Sequence, residues 1–184
     1  TLELADVVGG ALAVDAAGSA ATDVLNITNT DAAANAFGGV AITSTDFETV
    51  NLTTTGTGVA TAQTNTTVSL TGTTIAGVAS NTTLNISGTN AYSATGSITA
   101  TTIDASGMTA QAAGTATFTM GGVGIGVTTI TGSDGDDTLL GDAASTINGG
   151  AGADTITGGT GNDTLNGGAG NDTITTNTGN DTVA

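Results

Sequence analysis

Between Gly132 and Ala184 the chain repeats itself every nine residues, and that period limits the fold more than any other feature. The clearest copies are Gly149-Gly-Ala-Gly-Ala-Asp154-Thr-Ile156-Thr, Gly158-Gly-Thr-Gly-Asn-Asp163-Thr-Leu165-Asn and Gly167-Gly-Ala-Gly-Asn-Asp172-Thr-Ile174-Thr. Self-similarity at a fixed short period marks stacked repeats, in which each unit buries its apolar face only against its neighbours. In each copy the six residues Gly-Gly-x-Gly-x-Asp have the composition of a turn. Glycine serves there where φ must be positive or where a carbonyl needs room. The last three residues form a short strand whose apolar member (Leu139, Ile147, Ile156, Leu165, Ile174, Val183) points inward. Two nonapeptides close one coil of 18 residues, so turns two repeats apart lie directly above each other. A Gly/Asp-rich flexible linker would not hold a nine-residue register.

The rest of the composition says what can hold such a stack together. The chain has 184 residues, enough for one elongated domain or two small ones. It contains no Lys, Arg, His, Cys, Pro or Trp, and its sixteen acids give a formal charge of −16. Leu, Ile, Val and Phe total 36, and nearly all the rest of the 38% of nominally hydrophobic residues is Ala, which buries little area. A chain so acidic and so poor in bulky side chains tends to disorder. Two things rescue it: metal ions that cancel charge, and a solenoid that stacks small side chains in ladders. Both are expected.

The same composition excludes partners and chemistries. No cation is available to displace phosphate counterions, which rules out nucleic acid. Anionic lipid is excluded likewise, unless a divalent ion bridges the two, and no apolar run is long enough for direct membrane insertion. The lack of Cys means no disulfides and does not place the chain inside a cell. With no His, Lys or Cys, catalysis lacks its usual bases and nucleophile partners. Carboxylate pairs alone can hydrolyse glycosides, but the paired acids here belong to the repeat, so no enzyme is expected. The chain starts at Thr1 with no signal peptide and stops within a repeat at Asn180-Asp181-Thr182-Val183-Ala184, and reads as a piece of a longer protein.

A change of texture near Thr131-Gly132 divides the chain. Residues 1–130 are rich in Thr, Ala, Asn and Ser, while 131–184 hold half of the acids and 13 of the 30 glycines. The first region has a looser motif: Leu25-Asn-Ile-Thr28, Val50-Asn-Leu-Thr53, Val68-Ser-Leu-Thr71 and Leu84-Asn-Ile-Ser87. Its alternation puts the apolar pair on one face and the polar pair on the other. Successive motifs start 25, 18 and 16 residues apart. Spacings of 16 to 18 suit one coil of a parallel solenoid, and a β-sandwich is the alternative if half the strands escape notice. Ile98, Ile103, Phe118 and Ile130 centre later strand candidates. Only the opening, Leu2 to Val14, hints at a helical period. Asn26, Asn51 and Asn85 either stack as a ladder or face water. Asp104 suits an Asx-turn at a strand end. Phe37, Phe47, Tyr92 and Phe118 read as core plugs. Glu3, Asp6, Asp15, Asp23, Asp31, Asp46 and Glu48 read as solvated turn residues.

Stacking the nonapeptides has an electrostatic consequence. Rungs of a sheet are about 4.8 Å apart, which brings the Asp carboxylates of overlying turns to about that separation. At an effective dielectric of 20 to 80 the repulsion is roughly 1 to 3 kcal/mol per pair. Several such pairs around so small a core prevent folding without a counter-ion. Ca2+ suits the gap, since it takes six to eight hard oxygens from carboxylates and carbonyls. Mg2+ demands tighter octahedral geometry, and transition metals favour nitrogen or sulfur, absent here in His and Cys form.

Residues 132–184 resemble the RTX repeats of type I-secreted bacterial proteins. The resemblance covers under a third of the chain, but consecutive copies make it specific. It implies Asp137, Asp154 and Asp172 along one edge of a β-roll and Asp163 and Asp181 along the other. About three Ca2+ sites follow, between Asp137 and Asp154, Asp154 and Asp172, and Asp163 and Asp181. Carbonyls from the turns (Gly150, Gly152, Gly159, Gly161, Gly168, Gly170) complete them. The first copy departs from the pattern, with Ser133 for Gly and two additional candidate acids, Asp134 and Asp136. The second, Gly141-Asp-Ala-Ala-Ser-Thr-Ile147-Asn148, is one residue short and lacks the ligand Asp, for which Asp142 is a substitute candidate. The last has Thr176-Asn177 in place of Gly-Gly.

The fold expected is therefore all-β: a right-handed parallel β-solenoid with a C-terminal RTX β-roll. Residues 1–130 form the Thr/Ala/Asn-rich solenoid (or sandwich), and 131–184 the calcium-binding roll. The texture also resembles lattice-forming parts of bacterial surface-layer proteins and large adhesins. That resemblance implies type I secretion and a structural role at the bacterial cell surface, with calcium-dependent self-assembly into a layer or matrix. The expected partners are copies of the chain, with cell-surface polysaccharide reached through other regions. The alternatives are an RTX folding module of a secreted hydrolase or toxin, and an adhesin stalk.

Overall fold

A computed structural model describes residues 2–4, 11–15, 23–29, 40–45, 47–54, 63–71, 82–89, 91–94, 98–109, 116–120, 122 and 126–184. Every helix or strand among them is a strand, and every pairing is parallel. One sheet contains, in spatial order, β1 (Leu2–Leu4), β3 (Val24–Asn29), β5 (Thr49–Thr54), β7 (Thr83–Gly88), β10 (Thr102–Met108), β12 (Thr129–Thr131), β14 (Thr146–Ala151), β16 (Thr164–Ala169) and β18 (Thr182–Val183). The opposing sheet runs through β2 (Ala11–Asp15), β4 (Val40–Thr45), β6 (Gln63–Thr71), β8 (Tyr92–Ala94), β11 (Phe118–Met120), β13 (Thr138–Leu140), β15 (Thr155–Thr157) and β17 (Thr173–Thr175), with β9 (Ile98–Thr99) also on β6. The chain visits the two sheets by turns, so each coil adds a strand to both. This is a parallel β-solenoid, not the antiparallel sandwich that the strand spacing also allowed.

Alternation builds the core. Leu25, Ile27, Val50, Leu52, Leu84 and Ile86 are buried from the first sheet, and the polar residues between them face out. Asn51 Nδ2 donates to Asn26 Oδ1 at 2.7 Å, and Asn85 Nδ2 to Asn51 Oδ1 at 2.8 Å. The Asn residues thus form a ladder. Asn166 and Asn148 repeat it at 3.1 Å in the nonapeptide region. Tyr92 and Phe118, from adjacent rungs of the opposing sheet, are fully buried and stack with centroids 6.1 Å apart. Phe47 packs against the core from its margin.

Several expectations are corrected. The motif spacing of 16 to 18 is half a coil, not a coil. Val50 pairs with Leu84, whereas Val68 lies in β6 of the opposing sheet. Coils in the first region are long and uneven: stacked residues are 25, 34, 19 and 27 positions apart. They tighten to 17 and 18 in the nonapeptides. The described parts of the opening, 2–4 and 11–15, are strands rather than helix. β2 pairs in register with β4, because Ala-Leu-Ala-Val-Asp alternates and its backbone finds a ladder partner. Asp104 forms its turn inside β10 rather than at the end. Ser106 N–H donates to its Oδ1 at 3.0 Å, where the ladder to β7 bulges.

Glu48 is engaged rather than simply solvated: its Oε2 accepts from Asp23 N–H at 2.8 Å. Asp6, Asp31, Asp46 and Phe37 lie outside the described residues, as do the side chains of Glu3 and Asp15. At the texture boundary the ladder is continuous: β12 spans it, pairing with β10 below and β14 above.

Candidate metal centre

The nonapeptide turns stack along the two edges of the roll, and their Asp residues form two columns. On one edge Asp137 N–H donates to Asp154 Oδ1 at 2.8 Å, and Asp154 N–H to Asp172 Oδ1 at 3.0 Å. On the other, Asp163 N–H donates to Asp181 Oδ1 at 2.9 Å. Each Oδ1 is thus spent on the backbone of the rung below. The expected groupings, Asp137 with Asp154 and Asp172, and Asp163 with Asp181, are brought together.

The second oxygen distinguishes the rungs. Asp154 and Asp163 are each 1% exposed, and their Oδ2 atoms are buried without a hydrogen-bond donor. Both face carbonyl oxygens. A methyl group placed on Gly158 would lie 2.5 Å from Asp163 Oδ2 and 2.9 Å from Thr176 O. One placed on Gly149 would press on Asp154 Oδ2 and Gly167 O together. A buried carboxylate oxygen beside a carbonyl, with no N–H or O–H donor to it, is a cluster of negative ends that a cation satisfies. The donors are all hard oxygens, which fits Ca2+. When bound, Ca2+ supplies positive charge that cancels this repulsion and ties successive rungs together. Among the described residues no three acidic side chains converge, so the ligand set must mix carboxylates with carbonyls.

Backbone geometry explains the glycines. Gly150 has φ of 110°, a region closed to most side chains. Its carbonyl faces Gly168 of the rung above, as those of Gly152 and Gly161 face Gly170 and Gly179. The Thr176-Asn177 departure keeps the turn: Asn177 adopts φ of 65°, which Asn tolerates, and Thr176 O supplies the carbonyl next to Asp163. The repeat pattern points to glycines at the second and fourth positions and not to the first. The carbonyls beside the free oxygens belong to Gly167 and Thr176, first-position residues. The doubled glycine was the available signal, since the first of the pair leaves room for the carboxylate.

Other candidates take different places. Asp134 and Asp136 are exposed, and Asp136 Oδ1 accepts from Ala153 N–H at 2.8 Å. Asp142 does not replace the missing Asp of the second copy. Its Oδ2 accepts from Gly126 N–H at 3.3 Å, while Ser145 stands under Asp163 and donates its N–H to Asp163 Oδ1 at 2.7 Å. Asp142 follows Gly141 directly and so holds the second-glycine register, where Gly159 lies over its carbonyl; the residue this turn lacks falls between Asp142 and Ser145. Asp172 and Asp181 are half-buried.

Burial pushes the Asp137 carboxyl up to about 6, against the pull of Ser133 and Phe118 donors, and the charge of Asp154 adds to the rise. Burial likewise raises Asp154, with Asp172 and Asp136 contributing and the Asp137 N–H opposing. Burial is the main cause of both shifts, and the neighbouring carboxylates add to it.

A parallel β-roll with paired carboxylate columns and glycine-lined carbonyl cradles is a calcium-binding architecture. Residues 124–145 and 146–183 match the model of the RTX calcium-binding nonapeptide repeat, in four copies. The C-terminal part of this chain is accordingly an RTX repeat region, and such repeats bind Ca2+ and typify secreted, extracellular proteins. The matched segments cover about a third of the chain. No curated protein and no solved structure matched the chain. Among the described residues no helix is long and apolar enough to cross a membrane.

Proposed function

We propose that the chain is a structural, non-catalytic protein of the bacterial cell surface that assembles with copies of itself into a layer or matrix when calcium is present. The observation that carries this reading is the unbroken stack. Two parallel sheets run through the Thr-rich region and the nonapeptides alike, so the calcium rungs extend a scaffold. A chain with sixteen acids and no bases repels its copies until divalent ions screen or bridge them. Calcium then governs both the order of the roll and the contact between chains. Cell-surface polysaccharide is reached through other regions.

Static light scattering during a calcium titration from a chelated start, with magnesium as control, tests this. Growth to large particles with calcium only, reversed by chelator, is the expected result. A compact monomer at saturating calcium would contradict self-assembly and turn the reading to a folding module of a secreted hydrolase or toxin, or an adhesin stalk.

A further inference from the structure

The rung that joins the solenoid to the nonapeptides is built differently from those above it. Asp137 is as buried as Asp154, yet both its oxygens are satisfied. Oδ1 accepts from Phe118 N–H at 2.6 Å and lies 2.7 Å from Ser133 Oγ, and Oδ2 accepts from Ser133 N–H at 2.6 Å. Ser133 Oγ is also 2.7 Å from Ala116 O, its single proton shared between the two acceptors, and it accepts from Gly135 N–H at 3.2 Å. Ser133 fills the second-glycine position. Gly150 and Gly168 hold φ of 110° and 95° there, whereas Asn177 is the one described non-glycine residue with positive φ. Ser133 therefore keeps an ordinary φ, and its N–H turns onto the carboxylate instead of leaving it bare.

The other edge has the same feature in a different form. Ser145 occupies the ligand-Asp register beneath Asp163 and is 3% exposed. Its Oγ lies 3.0 Å from Ala143 O and 3.4 Å from Val127 O. A methyl on Gly141 would meet Ser145 Oγ at 3.1 Å and press on Gly158 O, just as one on Gly149 meets Asp154 Oδ2 and Gly167 O. A neutral hydroxyl thus stands where a carboxylate stands in the rungs above. It donates to a carbonyl and calls for no cation.

We propose that Ser133 and Ser145 close the metal column at its lower end, one on each edge. The rung 132–148 is then held by hydrogen bonds and folds without calcium. It is the seat on which calcium orders residues 149–183. Apolar mass is distributed to match: Tyr92, Met108, Phe118, Met120 and Ile130 are buried at and below this rung, whereas the rungs above bury one Ile or Leu per strand, and Ile174 and Val183 are only partly covered or exposed. The proposal rests on the calcium reading of 149–183.

Residue-resolved hydrogen exchange on the full chain, in chelator and in calcium, tests it. In chelator the amides of Phe118, Ser133, Gly135 and Thr146 are expected to stay slowed at least about 100-fold. Those of Thr164, Thr173 and Thr182, which donate to carbonyls of Ser145, Asp154 and Asp163, are expected to exchange freely until calcium is added. Loss of both sets together in chelator would overturn the proposal while leaving the calcium reading intact. No response of either set to calcium would overturn the calcium reading, and the proposal with it. Ser133→Gly is expected to move the first set into the calcium-dependent class, and unchanged protection in that variant would remove Ser133 from the role. Ser145→Asp is expected to raise the calcium bound per chain by one in titration calorimetry. An unchanged number in a variant with wild-type circular dichroism would remove Ser145.

Discussion

Asp154 and Asp163 each bury one carboxylate oxygen that no donor reaches, and the chain tolerates this because a cation completes the site. Asp154→Asn or Asp163→Asn is therefore expected to weaken calcium binding at least about tenfold, or 1.4 kcal/mol. Asp134→Asn, at an exposed position, is expected to change it far less. Titration calorimetry on the three variants decides. Gly150→Ala is expected to lower the calcium-loaded stability by about 1–3 kcal/mol, because φ of 110° is strained for a residue with a Cβ; the thermal midpoint in calcium is the measure. The acidic columns were legible in the sequence because Asp recurs every nine residues. Ser145 was not, since a one-residue deletion moves the register and makes Asp142 the nearest acid in sequence but not in space.

At the scale of the strand, the two regions are stabilised by different means. The ladder Asn26–Asn51–Asn85 joins three rungs with two side-chain hydrogen bonds. Asn51→Ala breaks both and is expected to cost about 1–3 kcal/mol, equally with and without calcium; denaturant unfolding in the two conditions checks this. Strand positions were readable from alternation alone, as Leu84-Asn-Ile-Ser87 shows. Coil length was not, because turns of uneven length separate the motifs, and Val68-Ser-Leu-Thr71 carries the same pattern on the opposite sheet. In the nonapeptides the turn length is fixed by the ion site, so period and coil agree.

For the molecule as a whole, proton and calcium compete for the same columns. The Asp137 carboxyl is raised to about 6 and Asp154 is raised as well, so the ion-free fold binds protons that the unfolded chain does not. Stability in chelator is expected to rise as pH falls from 7 through about 6 towards the ordinary carboxylate range, where the unfolded chain also protonates and the gain ends. In saturating calcium this gain is opposed at Asp154, where protonation displaces the ion. Thermal midpoints from pH 7 to 5, with and without calcium, check both slopes. Calcium makes the upper rungs of a single stack foldable, and far-ultraviolet circular dichroism of the full chain, titrated with calcium from a chelated start, reads this out. Partial β signal in chelator, a saturable increase with calcium and no equivalent increase with magnesium are expected. Full β signal in chelator, unchanged by calcium, would contradict it.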